Sequence, residues 1–315
     1  MIATMESFGV ETAELPDAKV TVVVVDEDRK PVENADVSLV FLDRTTFKTN
    51  LTHGKTDSRG LFTAEGGCNI SGIGSDVRKD GYYRGAASIP NFTNIDESLN
   101  QWEPWDKTYT TVLRPIGKPI ALYAQKIDME IPALDKPCGF DLEAGDWVTP
   151  YGKGEKSDFI FTLHQDKRGL QNYDILGGLT FSNALDGLQE APMSDVGTNS
   201  IFKWERQAPE GNYQLKFQLQ NSWHGNKGVT RSFKIPGREW EGYFFHVRTV
   251  EQNGQIVSAR YGKIRGGIEI FPHDPNPVIV FTYYYNPTPN DRNLEWDPGK
   301  DLFRDSPLLE TPQEP

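Results

Sequence analysis

At 315 residues with a formal charge of −12, the chain is long enough for two or three domains, each with its own core. It is too acidic to offer the basic face that a nucleic-acid binder uses to displace counterions, and anionic membrane surfaces are disfavoured for the same reason. Its 29 Gly and 21 Pro are spread along the chain, and so punctuate many short segments, as an all-β chain requires.

Residues 1–17 are acidic and without period, and read as an N-terminal arm. They show no basic n-region, sustained apolar stretch or small-residue cleavage site, so no secretory signal is visible. Either a signal is removed ahead of Met1 or none is used. Val22 to Val25 form the longest aliphatic run nearby, far too short to insert in a membrane. From Lys19 the run Lys-Val-Thr-Val-Val-Val-Val is β-branched and of strand length. A polar turn ending at Pro31 separates it from a second strand over 36–42, and two strands joined this closely predict an antiparallel hairpin. A second hairpin is expected at Thr56-Asp57-Ser58-Arg59-Gly60, where Asp57 can accept downstream amides and Gly60 can take a positive φ. Residues 76–83 read as strand and turn, 84–107 as irregular, and 109–113 as strand again.

The residues at 23–37 (Val-Val-Val-Asp-Glu-Asp-Arg-Lys-Pro-Val-Glu-Asn-Ala-Asp-Val), 56–62 and 79–82 carry a resemblance. The segment 18–115 resembles the carboxypeptidase regulatory-like domain, a transthyretin-like, Ig-like sandwich of seven strands found as an accessory module on secreted and surface proteins. The resemblance implies the fold and says almost nothing of function. Lys30 and Asn34 stand where that family has glycine, and Asn tolerates the left-handed conformation. An insertion around Trp102 and Trp105 is a larger departure.

The stretch 115–119 (Pro-Ile-Gly-Lys-Pro) reads as a domain boundary. Strand-like segments follow at 120–126, 158–163, 212–220, 229–235, 243–250, 256–264 and 278–285. Tyr213, Leu215, Phe217 and Leu219 alternate with polar residues, which predicts a strand with one wet face. Residues 278–285 are apolar on both faces and are expected inside a sheet. The expected fold is therefore all-β: the first sandwich, then a second β-rich domain of sandwich or jelly-roll type over 116–285, then a Pro-rich tail over 286–315 lying on the surface. Residues 116–315 also resemble an uncharacterised bacterial group on the segments 139–154 and 283–297, which implies no activity.

Few residues suggest chemistry. Cys68 and Cys138 fall in different expected domains and read as buried thiols, too few for a cysteine zinc site. Of the five histidines only His164 sits two residues from an acid, Asp166, a pair that is common by chance. Asp26, Glu27, Asp28 and Asp57 could line a calcium loop, but Arg29 and Lys30 share the turn. Asp141, Glu143, Asp146, Asp158 and Asp186 could supply paired carboxylates, with nothing in the sequence to choose among them. No nucleophile elbow and no phosphate cradle is present in the sequence. The expectation is a chain without enzymatic activity or cofactor.

Tryptophan is the exception. Trp102 and Trp105, and Trp223 with His224 and Asn226, lie in polar, turn-forming settings where a ring can stay partly exposed and contact a ligand or partner. The bland alternative is that these rings plug sandwich ends. Two readings remain open. One is a structural or adhesion protein of a phage virion (tail, fibre or decoration) or another surface assembly, acting through protein–protein contacts. The other is a secreted or cell-surface protein that binds polysaccharide through its tryptophans. Both place the protein in a virion, outside the cell or on its surface.

Overall fold

The computed structural model describes residues 15–43, 45–69, 73–89, 92–192, 199–231, 240–303 and Pro312. Over these residues the protein is all-β, with two isolated 3-10 turns, and no helix is long and apolar enough to cross a membrane. They form two compact units: the residues up to Ile116 together with 199–202, and the residues from Gly117 onward without that segment.

The first unit contains β1 (Asp17–Val25), β2 (Asp36–Asp43), β3 (Lys48–Lys55), β4 (Leu61–Gly67), β5 (Ile73–Arg78), β6 (Gly85–Ile89), β7 (Asn94–Asp96), β8 (Gln101–Glu103) and β9 (Lys107–Val112). One sheet has the order β3-β2-β5-β6. The other is centred on β1, paired antiparallel with β4 and, on its far edge, parallel with β9 and β8; β7 pairs outside β8. Val20, Val22 and Val24 of β1 meet Val37, Leu39 and Phe41 of β2 in one core between the sheets. The strand period of two sends these alternate side chains inward.

Neither hairpin expected from the sequence forms. β1 and β2 lie in opposite sheets, as do β3 and β4. The chemistry that closes a tight turn also serves a corner between sheets. Arg29 and Asn34 take φ of 65° and 56° as the chain leaves β1. At the second corner the Asp57 carboxylate accepts the amides of Arg59 and Leu61, both at 2.9 Å. Gly60 there has φ +76°, and a Cβ would lie 2.4 Å from the Val24 carbonyl oxygen. The β2–β3 hairpin has no sequence signal because β3 (Lys-Thr-Asn-Leu-Thr-His-Gly-Lys) is exposed along most of its length and has no apolar period. The stretch 84–107 is likewise not irregular but holds β6, β7 and β8, so that among the described residues the unit has nine strands, against the seven that the resemblance implies.

The second unit contains β10 (Tyr123–Glu130), β11 (Cys138–Asp141), β12 (Asp146–Trp147), β13 (Phe159–Gly169), β14 (Asn172–Thr180), β15 (Gly187–Pro192), β16 (Phe217–His224), β17 (Val229–Arg231), β18 (Trp240–Gln252), β19 (Gln255–Phe271) and β20 (Val278–Asn286). Two sheets, β10-β20-β19-β18-β15 and β12-β11-β13-β14-β16-β17, face each other. Between them lies an aromatic core in which Phe159 meets Phe161, Phe181 and Phe245 edge-on, at 5.2 to 6.2 Å between ring centres. Edge-on packing satisfies the ring quadrupoles.

The first of these sheets is also covered over part of its outer face, where Leu122, Ala124 and Tyr284 pack together with Trp296. Trp296 and Leu294 are fully buried, with Trp296 edge-on to Tyr284 at 5.2 Å. The Pro- and Asp-rich composition from 286 onward pointed to a surface tail; as far as Phe303 this stretch instead belongs to the packed unit. The Glu295 carboxylate accepts the amides of Gly117 and Lys118, each at 2.7 Å. Lys263 is wholly buried beneath it, donating to the Leu294 carbonyl at 3.1 Å, with its ammonium 4.6 Å from the Tyr284 ring centre. The second sheet keeps a wet face bearing His164, Asp166 and Asp174. Its strand β16 begins only at Phe217, so Tyr213 and Leu215 lie ahead of the expected alternation.

Replacing Gly60 by Ala forces a Cβ against β1 in a left-handed backbone. The expected cost is about 1–3 kcal/mol of stability in the first unit, measured by urea unfolding of the full chain.

Candidate interaction surfaces

Three of the five acids singled out from the sequence, Asp141, Glu143 and Asp158, surround one guanidinium, and a fourth, Asp186, holds the backbone that carries it. A bulge in β18 between Val247 and Val250 shifts its register against β19, and Arg248 takes φ 56° there. The Asp186 carboxylate holds the bulge by accepting the amides of Arg248 and Thr249, each at 3.0 Å. A bulge of this kind re-aims a side chain, and the guanidinium reaches the opposite sheet. Its Nε and one terminal nitrogen donate to the two Asp158 oxygens at 2.7 and 2.8 Å. It also meets Asp141 at 3.1 Å and Glu143 at 2.5 Å.

The carboxylates are otherwise occupied. Asp141 accepts the amides of Glu155 and Lys156 at 2.9 and 3.0 Å, and Asp158 accepts that of Leu142. Burial pushes the Asp141 carboxyl up, but these amides, that of Glu143 and the Arg248 charge more than offset it, leaving it below the ordinary range. Glu143 is lowered in the same way, with burial opposed by Arg248 and Arg260. Burial is decisive at Asp158, which is raised in spite of Arg248. The fifth acid, Asp146, accepts the amides of Trp147 and Lys153. The cluster thus joins the two sheets, with its acids engaged by Arg248 and backbone amides.

The tryptophan candidates fall in both units. Trp102 is half-buried against Phe92, its ring centre 5.9 Å away, and its indole N–H donates to the Cys68 carbonyl at 2.8 Å. Trp105 is half-buried with the Lys19 ammonium 5.9 Å from its ring centre. Trp223 packs on the core face of β16 and donates to the Gly225 carbonyl at 3.3 Å. His224 faces the other way, as successive strand residues must, and its ring pairs with Asp174 at 3.0 Å. The Asn226 side chain lies outside the described residues.

The remaining candidates are likewise engaged. His164 pairs with Asp135 at 3.0 Å, while its neighbour Asp166 pairs with Arg168. In the acidic turn, Glu27 meets the buried Arg114 at 2.6 Å, Asp28 meets Lys30 at 2.9 Å, and Asp57 meets Arg59 at 3.0 Å. Among the described residues no group of three or more His, Cys, Asp or Glu is arranged to hold a metal ion. Cys68 and Cys138 are buried free thiols, and burial raises that of Cys138.

Two hairpin ends were not legible as sites. Phe47, at the tip of β2–β3, is 81 % exposed and has φ 56°. Asp43 pins that tip, accepting the Thr45 amide at 2.9 Å and the Asn69 side-chain amide at 2.6 Å. Leu51 is exposed on the same hairpin. In β18–β19 every residue from Val250 to Val257 is exposed, including Val250, Ile256 and Val257. An aromatic inside a polar turn was the one available signal for the first. For the second, the Asn253-Gly254 turn marks the tip but not how far the strands project.

No family model and no curated protein matches the chain, so the resemblance of 18–115 to the carboxypeptidase regulatory-like domain gains no support there. Solved structures with some likeness include 3-chlorocatechol 1,2-dioxygenase from Rhodococcus opacus, 14 % identical over 33 % of this chain, with a TM-score of 0.26. The match spans 62 % of that enzyme, less than two thirds of its length. The shaft pilin of Lactobacillus rhamnosus GG is 12 % identical over 56 % of this chain and 91 % of its own, at TM-score 0.22. The major pilin subunit of Bacillus cereus is 10 % identical over 84 % of this chain and 95 % of its own, at 0.23. Values this low carry no statement about activity or assembly.

Arg248→Met strands Asp141 and Asp158 in the seam without their cation. The expected loss at pH 7 is about 3–5 kcal/mol in the second unit, read by urea unfolding. Asp141 and Glu143 titrate below their unfolded values near 4, so their share of wild-type stability is complete above that pH. It drains as pH falls through the lowered folded values, while the raised Asp158 works in the opposite sense. In the variant all three rise, so the deficit should shrink between pH 7 and pH 4.

Proposed function

We propose that this chain is a non-enzymatic structural protein of a surface or extracellular assembly, with a phage virion as the preferred setting, and that it acts through contacts with other proteins. The observation that carries this reading is the display of apolar side chains at two hairpin ends. Phe47 and Leu51 project from one unit, and Val250, Ile256 and Val257 from the other. Exposed apolar residues in projecting positions favour partner contact over solvation. A two-stranded projection such as 250–257 is marginal alone in water, which gives a second reason to expect a neighbour over it.

The environment of the tryptophans weighs in the same direction. A sugar-stacking ring needs an open face, whereas Trp102 and Trp223 lie against apolar cores and donate their N–H groups to backbone carbonyls. Trp105 is the member of the set best placed for a polysaccharide, and Trp105→Ala would remove glycan-dependent fluorescence quenching if that alternative held.

The test is association of the purified full chain. Sedimentation velocity over a wide concentration range should show species larger than the monomer. Combined Phe47→Ser and Ile256→Ser substitution should weaken that association by about tenfold or more while leaving the unfolding midpoint within about 0.5 kcal/mol of wild type. A chain that stays monomeric at every concentration, and is absent from virions and surface fractions, would end this reading.

A further inference from the structure

Among the described residues β10 is an edge strand of its five-stranded sheet. β10 pairs with β20 in an unbroken antiparallel register from Tyr123↔Tyr285 to Glu130↔Val278. In such a ladder alternate residues turn their N–H and C=O groups toward the partner and away from it. The outward set is identified by its contacts. The Leu122 carbonyl accepts the Leu302 amide at 2.9 Å, and the Ala124 amide donates to Asp301 at 3.3 Å. The next outward residues are Lys126 and Asp128, whose backbone groups on that side find no partner among the described residues.

The upstream half of this edge is therefore covered by the chain's own 295–302 stretch, which runs parallel to it through the Ile120↔Trp296 bridge. Among the described residues nothing pairs with the downstream half. Five consecutive residues, Gln125 to Met129, line a groove of about 600 Å³ whose other wall includes Gly145, Asp146 and Lys153. A strand needs only about 4.8 Å of lateral room to pair.

Charges along an edge ordinarily discourage pairing. Here their signs alternate with the strand period: Lys126 and Asp128 are both exposed, neither has an ion partner among the described residues, and both project from the same face. Antiparallel pairing about Ile127 sets each opposite its complement in the other copy. A shift that centred the pairing on Asp128 would instead oppose two aspartates and draw on Glu130, which already pairs with His273.

We propose that the chain forms a two-fold dimer by antiparallel pairing of β10 with β10 of a second copy, centred on Ile127, with Lys126 of each copy opposite Asp128 of the other. The contact is isologous and closes on itself, and it joins the two five-stranded sheets into one continuous sheet. This rests on the reading of the chain as an assembly subunit and names one of its contacts. It leaves the hairpin ends free for other neighbours.

The test is sedimentation velocity of the full chain at low and high salt, with Lys126→Asp, Asp128→Lys and the two combined. The wild type is expected to dimerise, less so at high salt. Each single change places like charges opposite each other twice and should weaken the dimer about tenfold or more. The combined exchange restores both pairs and should recover most of that loss. Because both side chains are exposed, tryptophan fluorescence and the unfolding midpoint should stay at wild-type values in all three, which separates loss of pairing from loss of fold. A wild type that never dimerises overturns the proposal. So does a dimer that ignores the single changes or is not rescued by the exchange; in that case association remains, and the assembly reading stands without this contact.

Discussion

A single guanidinium group, reaching from a bulge in one sheet to three carboxylates on the other side, sets how the second unit is put together. Arg248 can make its contacts only because β18 is bulged, and the bulge is held by Asp186 accepting two successive amides. On the far side, Asp141 and Asp158 bracket the segment that carries β12, and Asp141 also gathers the amides at 155–156. Ion clusters of this kind are weak evidence for net stability, because desolvation consumes most of the Coulomb gain. What they contribute here is register. A slip of one residue in β18 would turn Arg248 outward and leave two acids in the seam with no cation.

That fixed seam lets the rest of the unit be lopsided. One sheet is covered on its inner face and over part of its outer face, where it carries the wholly buried Lys263, held by the Leu294 carbonyl and the Tyr284 ring. The other keeps a wet face of paired His and Asp residues. Among the exposed apolar residues, Val250, Ile256 and Val257 are grouped at one hairpin end, away from the core. In the first unit the same economy appears at Phe47, held in a left-handed conformation by a turn that Asp43 organises.

Strand character was legible wherever β-branched or aromatic residues run together, as in Val20 to Val25 and in residues 278–285. Pairing was not. The turns at 26–31 and 56–60 carry the residues that close a hairpin, yet Asp57 and Gly60 there bend the chain from one sheet to the other. A turn fixes local backbone direction; which strands pair is decided by which faces must be buried. β3 carries no strand signal because its side chains are mostly exposed, and the stretch after 286 has the composition of a tail because Pro and Asp outnumber the two residues, Leu294 and Trp296, that anchor it. The acids around Arg248 were visible as acids. Their convergence was not, since it spans sequence separations of 90 and 107 residues.

Amide hydrogen exchange of the full chain, followed by mass spectrometry at dilute and concentrated protein, tests the central claim most directly, because it reads every proposed contact in one experiment. If the chain works by binding its neighbours through these surfaces, exchange slows on concentration at 45–52, 124–130 and 250–257, and stays unchanged at Arg248 and Thr249, whose amides already donate to Asp186 within one copy. Exchange at those three segments that is the same at both concentrations would contradict the account.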